Sequence, residues 1–205
     1  MTKKSTTSDV SERILTVARE LFISKGYEGT SVRDIAVASG ANVAHIKYYY
    51  NSKAHLFEII FDEAFDILIQ RIFDTLNSDM PFFEMLDKWI STYYEVLPEY
   101  PQIPIFILNE ISHSPDTLVE KIIKKNPQRI FNRLSERMEE EIAKGTIKDI
   151  PVVDFGLDIL SLCLFPFIFR TFATRVAIKS GNEYSVILKQ HKQHVIDFVT
   201  SALRP

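Results

Sequence analysis

A predicted helix near the N-terminus carries a high density of hydrogen-bonding side chains. It follows Asn42 and ends at Tyr50, and its inward side needs only Ile46 and Tyr50, with Val43 near its start. The side chains left on the exposed arc are those of Ala44, His45, Lys47, Tyr48 and Tyr49. Such groups can donate hydrogen bonds to phosphates and read base edges in the major groove. The alternative is a helix whose tyrosines pack inside the protein, but three adjacent tyrosines are difficult to bury together in a small domain.

Two further predicted helices would hold this one in place. Apolar residues at three- and four-residue spacing predict a first helix over residues 9–25. Thr30 and Ser31 are suited to cap a second helix, which Gly40 ends. About three residues around that glycine join the second and third helices, which is typical of a helix-turn-helix. A helix-turn-helix binds duplex DNA because its second helix fits the major groove while the first holds it against the backbone.

The charge of the chain is distributed unevenly. The net charge is −3, but residues 1–55 carry a net +3 and residues 56–205 a net −6. A basic N-terminal part on an acidic remainder fits a chain of which only the N-terminal part meets a polyanion. A net +3 over 55 residues is common, so this is weak support by itself.

The N-terminal region also carries a set of residues in a familiar order. In sequence these are Ala18-Arg19-Glu20-Leu21-Phe22, Lys25-Gly26-Tyr27, Thr30-Ser31-Val32-Arg33-Asp34-Ile35-Ala36, Ser39-Gly40-Ala41-Asn42, Ile46-Lys47-Tyr48-Tyr49-Tyr50 and Ser52-Lys53. They closely resemble the N-terminal domain of the TetR family (TetR/AcrR) of bacterial transcriptional regulators, with correct spacing throughout. The resemblance by motif does not extend into residues 80–205, where this family varies most.

The resemblance implies DNA contacts for individual residues. The residues that match base-contacting positions are Arg33, Val43, Ala44, His45 and Lys47. Those that match phosphate-contacting positions are Ser31, Tyr48, Tyr49 and Lys53. For Arg33, a solvated surface charge is the alternative. Two departures stand out: Lys47 replaces a tyrosine of many members, which is expected to shift the base preference, and Tyr50 replaces a commoner phenylalanine.

The remaining chain is predicted to be helical throughout. Breaks or kinks are expected at Pro127 and Pro166, which cannot donate a helical hydrogen bond. The predicted helices cover residues 53–76, 81–97, 102–113, 117–144, 152–179 and 183–203. The chain is thus expected to be all-α with about nine helices. It is divided into a flexible basic tail (1–8), a helix-turn-helix DNA-binding domain (9–55) and a ligand-binding and dimerisation domain (56–205), joined by the helix at 53–76.

The last two predicted helices offer more apolar surface than one chain normally leaves exposed. The family uses the corresponding helices for a two-fold dimer interface, and burial within the single chain is the alternative. The residues predicted for a homodimer interface are Leu157, Leu160, Leu164, Ile168, Phe172, Val195, Phe198 and Val199. A dimer would present two recognition helices to a pseudo-palindromic operator in double-stranded DNA.

A small-molecule cavity is the second expectation for residues 56–205. Apolar walls with a few polar groups are the usual composition of such a site, and core packing is the alternative for each aromatic residue. The predicted lining residues are Trp89, Tyr93, Phe106, Asn109, His113, Phe131 and Phe165. The unknown effector would then be largely apolar.

Several other classes of protein are disfavoured by the sequence. There is one cysteine, and no Gly-rich phosphate loop, nucleophile elbow or paired-carboxylate signature, so no enzyme, cofactor or metal is expected. His191 and His194, with Asp197, have a possible metal-ligand spacing, but a solvated pair is favoured. The longest apolar run has 11 residues and no secretory signal is apparent, so a cytoplasmic protein is expected. The expected function is that of a repressor released from its operator by a ligand; the alternatives are a ligand-dependent activator and a helical protein-interaction module.

Overall fold

Helices are the only regular elements among the residues that the computed structural model describes. These residues are 3–101, 103–105, 107–108, 116, 120, 123–124, 126–179, 181 and 183–205, with side chains from residue 9 onward. The helices are α1 (Lys3–Lys25), α2 (Val32–Ser39), α3 (Val43–Tyr50), α4 (Lys53–Leu76), α5 (Phe82–Val96), α6 (Gln128–Ala143), α7 (Val152–Ile168), α8 (Arg170–Lys179) and α9 (Tyr184–Leu203). The all-α prediction is confirmed.

The chain forms two compact units, and the division lies inside α4. Unit 1 comprises Met1–Phe65 with Tyr100–Ile103, and unit 2 comprises Asp66–Glu99 with Pro104–Pro205. The predicted boundary at residue 55 therefore falls ten residues early. The reason is that the first three turns of α4 supply core side chains to unit 1, including Leu56, Phe57 and Ile60. The DNA-binding and ligand-binding roles assigned to the two predicted domains stay predictions.

The core of unit 1 is built from one apolar face of each helix. On α1 the buried residues Ile14, Ala18 and Phe22 recur every four positions, as the pattern predicts. The rings of Phe22, Tyr27 and Phe57 pack with centroids 5.0 to 5.7 Å apart, two of the three pairs edge to face. Burial of each large apolar side chain is worth roughly 1.5–3 kcal/mol, so this cluster anchors α4 to α1.

The first helix begins earlier than the sequence pattern indicates. It starts at Lys3 and not at Asp9, so the chain from residue 3 to 8 is helical where a flexible tail was expected. No glycine or proline occurs in this stretch, and backbone hydrogen bonding can therefore continue toward the N-terminus. The motion of this segment in solution stays a prediction.

Unit 2 is built around α5, with α7 and α9 packed against it. Trp89, Ile90 and Tyr93 of α5 are buried, as are residues of α7 and α9 that face the same interior. Val195 and Val199 of α9 belong to that interior, with exposed fractions of 1% and 4%. The prediction that these two valines form a dimer interface is therefore wrong, because their side of α9 packs within the chain.

Prolines break the helical segments near the predicted positions. Pro127 directly precedes α6, and Asn126 before it has a positive φ of 52°. The predicted helix over 152–179 is divided into α7 and α8, bent by 63° at Phe169, three residues after Pro166. The Tyr184 hydroxyl donates a 2.8 Å hydrogen bond to the Pro166 carbonyl, and this bond gives the last turn of α7 a donor partner beside the break.

Among the described helices, no single one is long and apolar enough to cross a membrane. The pair α7 and α8 meets the requirement only together, by length and composition, and with the 63° bend between them.

Candidate nucleic-acid interface

The N-terminus of α2 is fixed by a capping box. The Ser31 Oγ accepts from the Asp34 N–H at 3.1 Å, and the Ser31 N–H donates to the Asp34 carboxylate at 2.8 Å. The Ser31 hydroxyl also donates to the same carboxylate at 2.6 Å. These bonds from the Ser31 side chain and backbone lower the pKa of Asp34. Ser31 thus positions α2, and its predicted phosphate contact through the hydroxyl requires the bond to Asp34 to be exchanged.

The turn between α2 and α3 depends on Gly40. Its φ of +64° lies in the left-handed region, and its N–H donates to the carbonyls of the last turn of α2. Asn42 then caps α3, because its side-chain oxygen accepts from the His45 N–H at 2.8 Å. Both caps are the ones that the sequence predicts, and together they set the direction of the third helix.

The third helix buries two side chains and leaves its predicted arc exposed except at Tyr49. Ile46 and Tyr50 are buried within unit 1, whereas Tyr48 is 79% exposed. Tyr49 is half-buried and meets the Tyr48 ring edge to face, with ring centroids 4.9 Å apart. The other exposed members of this face are Val43, Ala44, His45 and Lys47, and Arg33 on α2 is exposed as well. The predicted reading surface, defined as Arg33, residues 43–45 and residues 47–49, is therefore available to a partner.

The first helix holds the ends of both α2 and α3. The Tyr50 hydroxyl donates to the Ser11 carbonyl at 2.7 Å and lies 2.8 Å from the Ser11 Oγ. The Arg13 Nε donates to the carbonyl of Ser39, the last residue of α2, at 3.2 Å. Sequence reasoning missed these contacts. The contact with Ser11 could have been predicted from the hydroxyl of Tyr50, because the family more often has phenylalanine at this position.

Lys53, predicted to contact phosphate, ties the chain between α1 and α2. Its Nζ donates to the carbonyls of Tyr27 at 3.0 Å and Thr30 at 3.2 Å, and lies 3.9 Å from the centre of the Tyr27 ring. An ammonium has three donors, so one remains for another acceptor. The phosphate contact stays a prediction, and the structure adds a positioning role directly before Ser31.

Residues predicted for a ligand cavity lie in different surroundings. Trp89 and Tyr93 are buried in unit 2, and Phe131 is half-buried against α7, with its ring 3.0 Å from where a Cβ on Gly156 would be. Phe165 is 57% exposed, so its assignment to an interior wall of the single chain is wrong: it lies on the outer side of α7. Phe106, Asn109 and His113 lie outside the described residues.

An exposed apolar face runs along α7, α8 and α9. Of the predicted interface residues, Leu157, Phe172 and Phe198 are exposed, and Leu160, Leu164 and Ile168 are half-buried. Phe165 and Phe169 extend this face, since their rings stack at 5.3 Å and Phe169 meets Phe172 at 4.6 Å. We call the following residues the aromatic face of unit 2: Leu157, Leu160, Leu164, Phe165, Ile168, Phe169, Phe172, Val176 and Phe198.

The two histidines considered for metal binding have other neighbours. The Tyr94 hydroxyl lies 2.7 Å from the His191 Nδ1, and burial, followed by the effect of His194, lowers the pKa of His191. Within the described chain, no three His, Cys, Asp or Glu side chains are arranged to hold a metal ion.

Comparison with known proteins gives concordant results. Residues 14–60 match the model of bacterial regulatory proteins of the tetR family. A protein of Bacillus subtilis (strain 168), named as the probable HTH-type transcriptional regulator YttP, is 26% identical over 178 residues, covering 84% of each chain.

Solved structures share the whole fold. The ketosteroid transcriptional regulator KstR2 of Mycobacterium tuberculosis superposes with a TM-score of 0.67 at 17% identity, over 95% of each chain. The TetR-family transcriptional regulator PfmR from Thermus thermophilus gives a TM-score of 0.62 at 22% identity, over 90% of this chain and 97% of that one. With the capped helix-turn-helix, these findings show that residues 14–60 are similar to the N-terminal region of the tetR family of bacterial regulatory proteins, within a fold that solved TetR-family regulators share.

Proposed function

We propose that this protein is a sequence-specific DNA-binding transcriptional regulator that represses its target and is released by a small-molecule ligand. The observation that carries the DNA-binding part is the reading surface. Its polar and aromatic side chains project from α3, while the buried Ile46 and Tyr50 fix that helix from behind. A helix presented in this way fits the major groove, where side chains distinguish base pairs.

Contacts to bases and to phosphates divide between two sets of side chains. Val43, Ala44, His45 and Lys47 read bases, because they lie on the N-terminal turns of α3, the part of such a helix that meets base edges. Arg33, in the first turn of α2, joins them because it matches a base-contacting position of the family. Ser31, Tyr48, Tyr49 and Lys53 contact phosphates from the flanks. Contacts of the second kind fix the register on DNA and carry no sequence information.

The functional form is a homodimer joined through the aromatic face of unit 2. This face exposes phenylalanine rings in mutual contact, and contiguous exposed apolar patches commonly mark an interface. Two-fold symmetry would present two copies of α3 to half-sites one helical turn apart, about 34–36 Å. Such a regulator acts on the bacterial chromosome, and therefore in the cytoplasm.

Ligand release requires two conformations of the dimer. A ligand lowers DNA affinity only if it binds better to a conformation whose recognition helices do not fit the operator. The support here is that Trp89 and Tyr93 lie in the interior of unit 2, and that α4 continues from that unit into the DNA-binding one. Occupancy of a site that overlaps a promoter would then give repression without ligand.

Fluorescence anisotropy tests the proposal with a labelled duplex from upstream of the protein's own gene. We expect binding that exceeds that of an unrelated duplex and falls steeply with salt, because phosphate contacts release counterions. Equal affinity for unrelated duplexes would contradict sequence specificity. Absence of binding to any duplex would contradict DNA binding itself, and increased transcription on operator binding would favour an activator.

A further inference from the structure

Trp89 holds a buried hydrogen-bond donor that finds no acceptor among the described residues. Its side chain is 3% exposed on α5, and within that part of the chain its Nε1 has no hydrogen-bond partner. A buried indole N–H usually has a partner, because an unpaired buried donor is unfavourable. The Phe155 ring lies edge to face with the indole, with centroids 6.3 Å apart, and offers no lone pair. This donor therefore requires an explanation beyond the packing of unit 2.

The surroundings of the indole are uncharged. Tyr93, one turn along α5, is fully buried, and burial followed by Cys163 raises its pKa while the neighbouring indole lowers it to a smaller extent. The indole and that hydroxyl do not meet the geometry of a hydrogen bond. Burial also raises the pKa of the Cys163 thiol to about 12. Both groups are neutral at ordinary pH, so neither attracts an ion.

The described residues of unit 2 also place no charged side chain in this interior that could pair with a charged ligand. Among the described residues of unit 2, the buried polar side chains are Thr75, Ser91 and Thr92, and no Lys, Arg, Asp or Glu is buried. The three hydroxyls donate to the Arg71 carbonyl, the Asp87 carboxylate and the Lys88 carbonyl. Against these described side chains, a charged molecule would lose its hydration without compensation.

We propose that the Trp89 N–H is the hydrogen-bonding anchor of the effector, and that the effector is an uncharged, largely apolar molecule with an acceptor oxygen such as that of a ketone or ester. The proposal rests on the proposed ligand-responsive function and names the chemistry of its ligand. An acceptor oxygen would satisfy the donor, while the apolar remainder would lie against Phe155 and the neighbouring side chains of α5 and α7.

Because Trp89 is the only tryptophan in the chain, its indole N–H gives a single resonance that can be observed directly. We would titrate the ¹⁵N-labelled protein with 2-heptanone, heptanoate and heptane, which have similar chains and differ in acceptor and charge. We expect 2-heptanone to move the indole proton downfield and to bind at least about 10-fold more tightly than either other probe. Binding of heptanoate as tight as that of the ketone, or absence of any ketone binding up to its solubility, would overturn the proposal.

The variant Trp89→Phe keeps an aromatic ring and removes the donor. Measured by calorimetry, its affinity for 2-heptanone should fall by at least about 5-fold, while heptane binds as well as before or better because the smaller ring leaves space. Tyr94→Phe is the matched control, since it removes a hydroxyl that bonds His191 elsewhere in unit 2, and it should bind both probes like the wild type. If Trp89→Phe fails to fold, the titration of the unaltered protein still decides.

Anisotropy with operator DNA separates this proposal from the proposed function. Ketone binding at Trp89 in a protein that binds no DNA would leave the ligand site standing and refute the regulator. Operator binding together with a ketone that leaves the indole resonance in place would refute the anchor and leave the regulator standing.

Discussion

At the scale of the residue, Lys53 shows how one side chain can serve both structure and DNA. Its ammonium bridges two carbonyls that precede Ser31 and retains one donor. We predict that Lys53→Ala weakens binding to all duplexes alike and lowers the slope of log affinity against log salt by about 1, as expected for one lost phosphate contact. Anisotropy at several salt concentrations measures both quantities. Weaker binding with an unchanged slope would mean that Lys53 acts only by holding the turn.

Tyr50 is the second residue whose role follows from one functional group, its hydroxyl. Tyr50→Phe keeps the buried ring of α3 and removes the hydroxyl that bonds Ser11. We expect the free energy of unfolding to fall by about 1 kcal/mol, the usual net worth of such a hydrogen bond. Chemical denaturation measures it, with Tyr48→Phe as the control because that ring is exposed. Equal losses in the two variants would show that the contact with α1 contributes nothing specific.

At the scale of the element, α3 should carry side chains that determine which bases are preferred and that can be changed without disturbing the packing of the helix. Lys47 lies on the exposed face and makes no described contact that would hold it inside unit 1. We predict that Lys47→Ala changes the preferred base at one position of each half-site, with a discrimination of about 1–3 kcal/mol lost there. Competition binding over a library of altered operators measures the preference. Asn42→Ser, which conserves the cap of α3, should leave it unaltered, and an intact preference in Lys47→Ala would remove Lys47 from the reading set.

Helix ends could be predicted from the sequence where their causes are local. Ser31, Gly40 and Asn42 act through their own side chains or φ angles within four residues, and the structure has all three where they were expected. The inward side of α9 could not be predicted, because that helix is apolar on several sides and only its neighbours decide that Val195 is buried. The tie made by Lys53 likewise depends on residues more than twenty positions away.

At the scale of the whole molecule, the packing of α9 against its neighbours decides which apolar residues of unit 2 remain exposed for a partner. Once one side of α9 is buried within the chain, the aromatic face is the apolar surface left over from the predicted interface. A regulator that reads a pseudo-palindrome requires two copies, and this face lies on the helices that the resemblance associates with dimerisation. A substitution that weakens dimerisation should therefore also lower the affinity for operator DNA.

Phe172→Glu tests that coupling, because Phe172 is 57% exposed in the single chain and its ring lies against Phe169. A carboxylate placed among the phenylalanine rings of each copy would have to lose its hydration on dimerisation, so the dimer dissociation constant should rise about 100-fold or more. Sedimentation equilibrium measures it without DNA, and operator affinity should fall in parallel. Val37→Glu is the control, since Val37 is 83% exposed on α2 and its change should leave the dimer intact. A Phe172→Glu protein that remains dimeric would place the interface on another surface and detach the aromatic face from DNA binding.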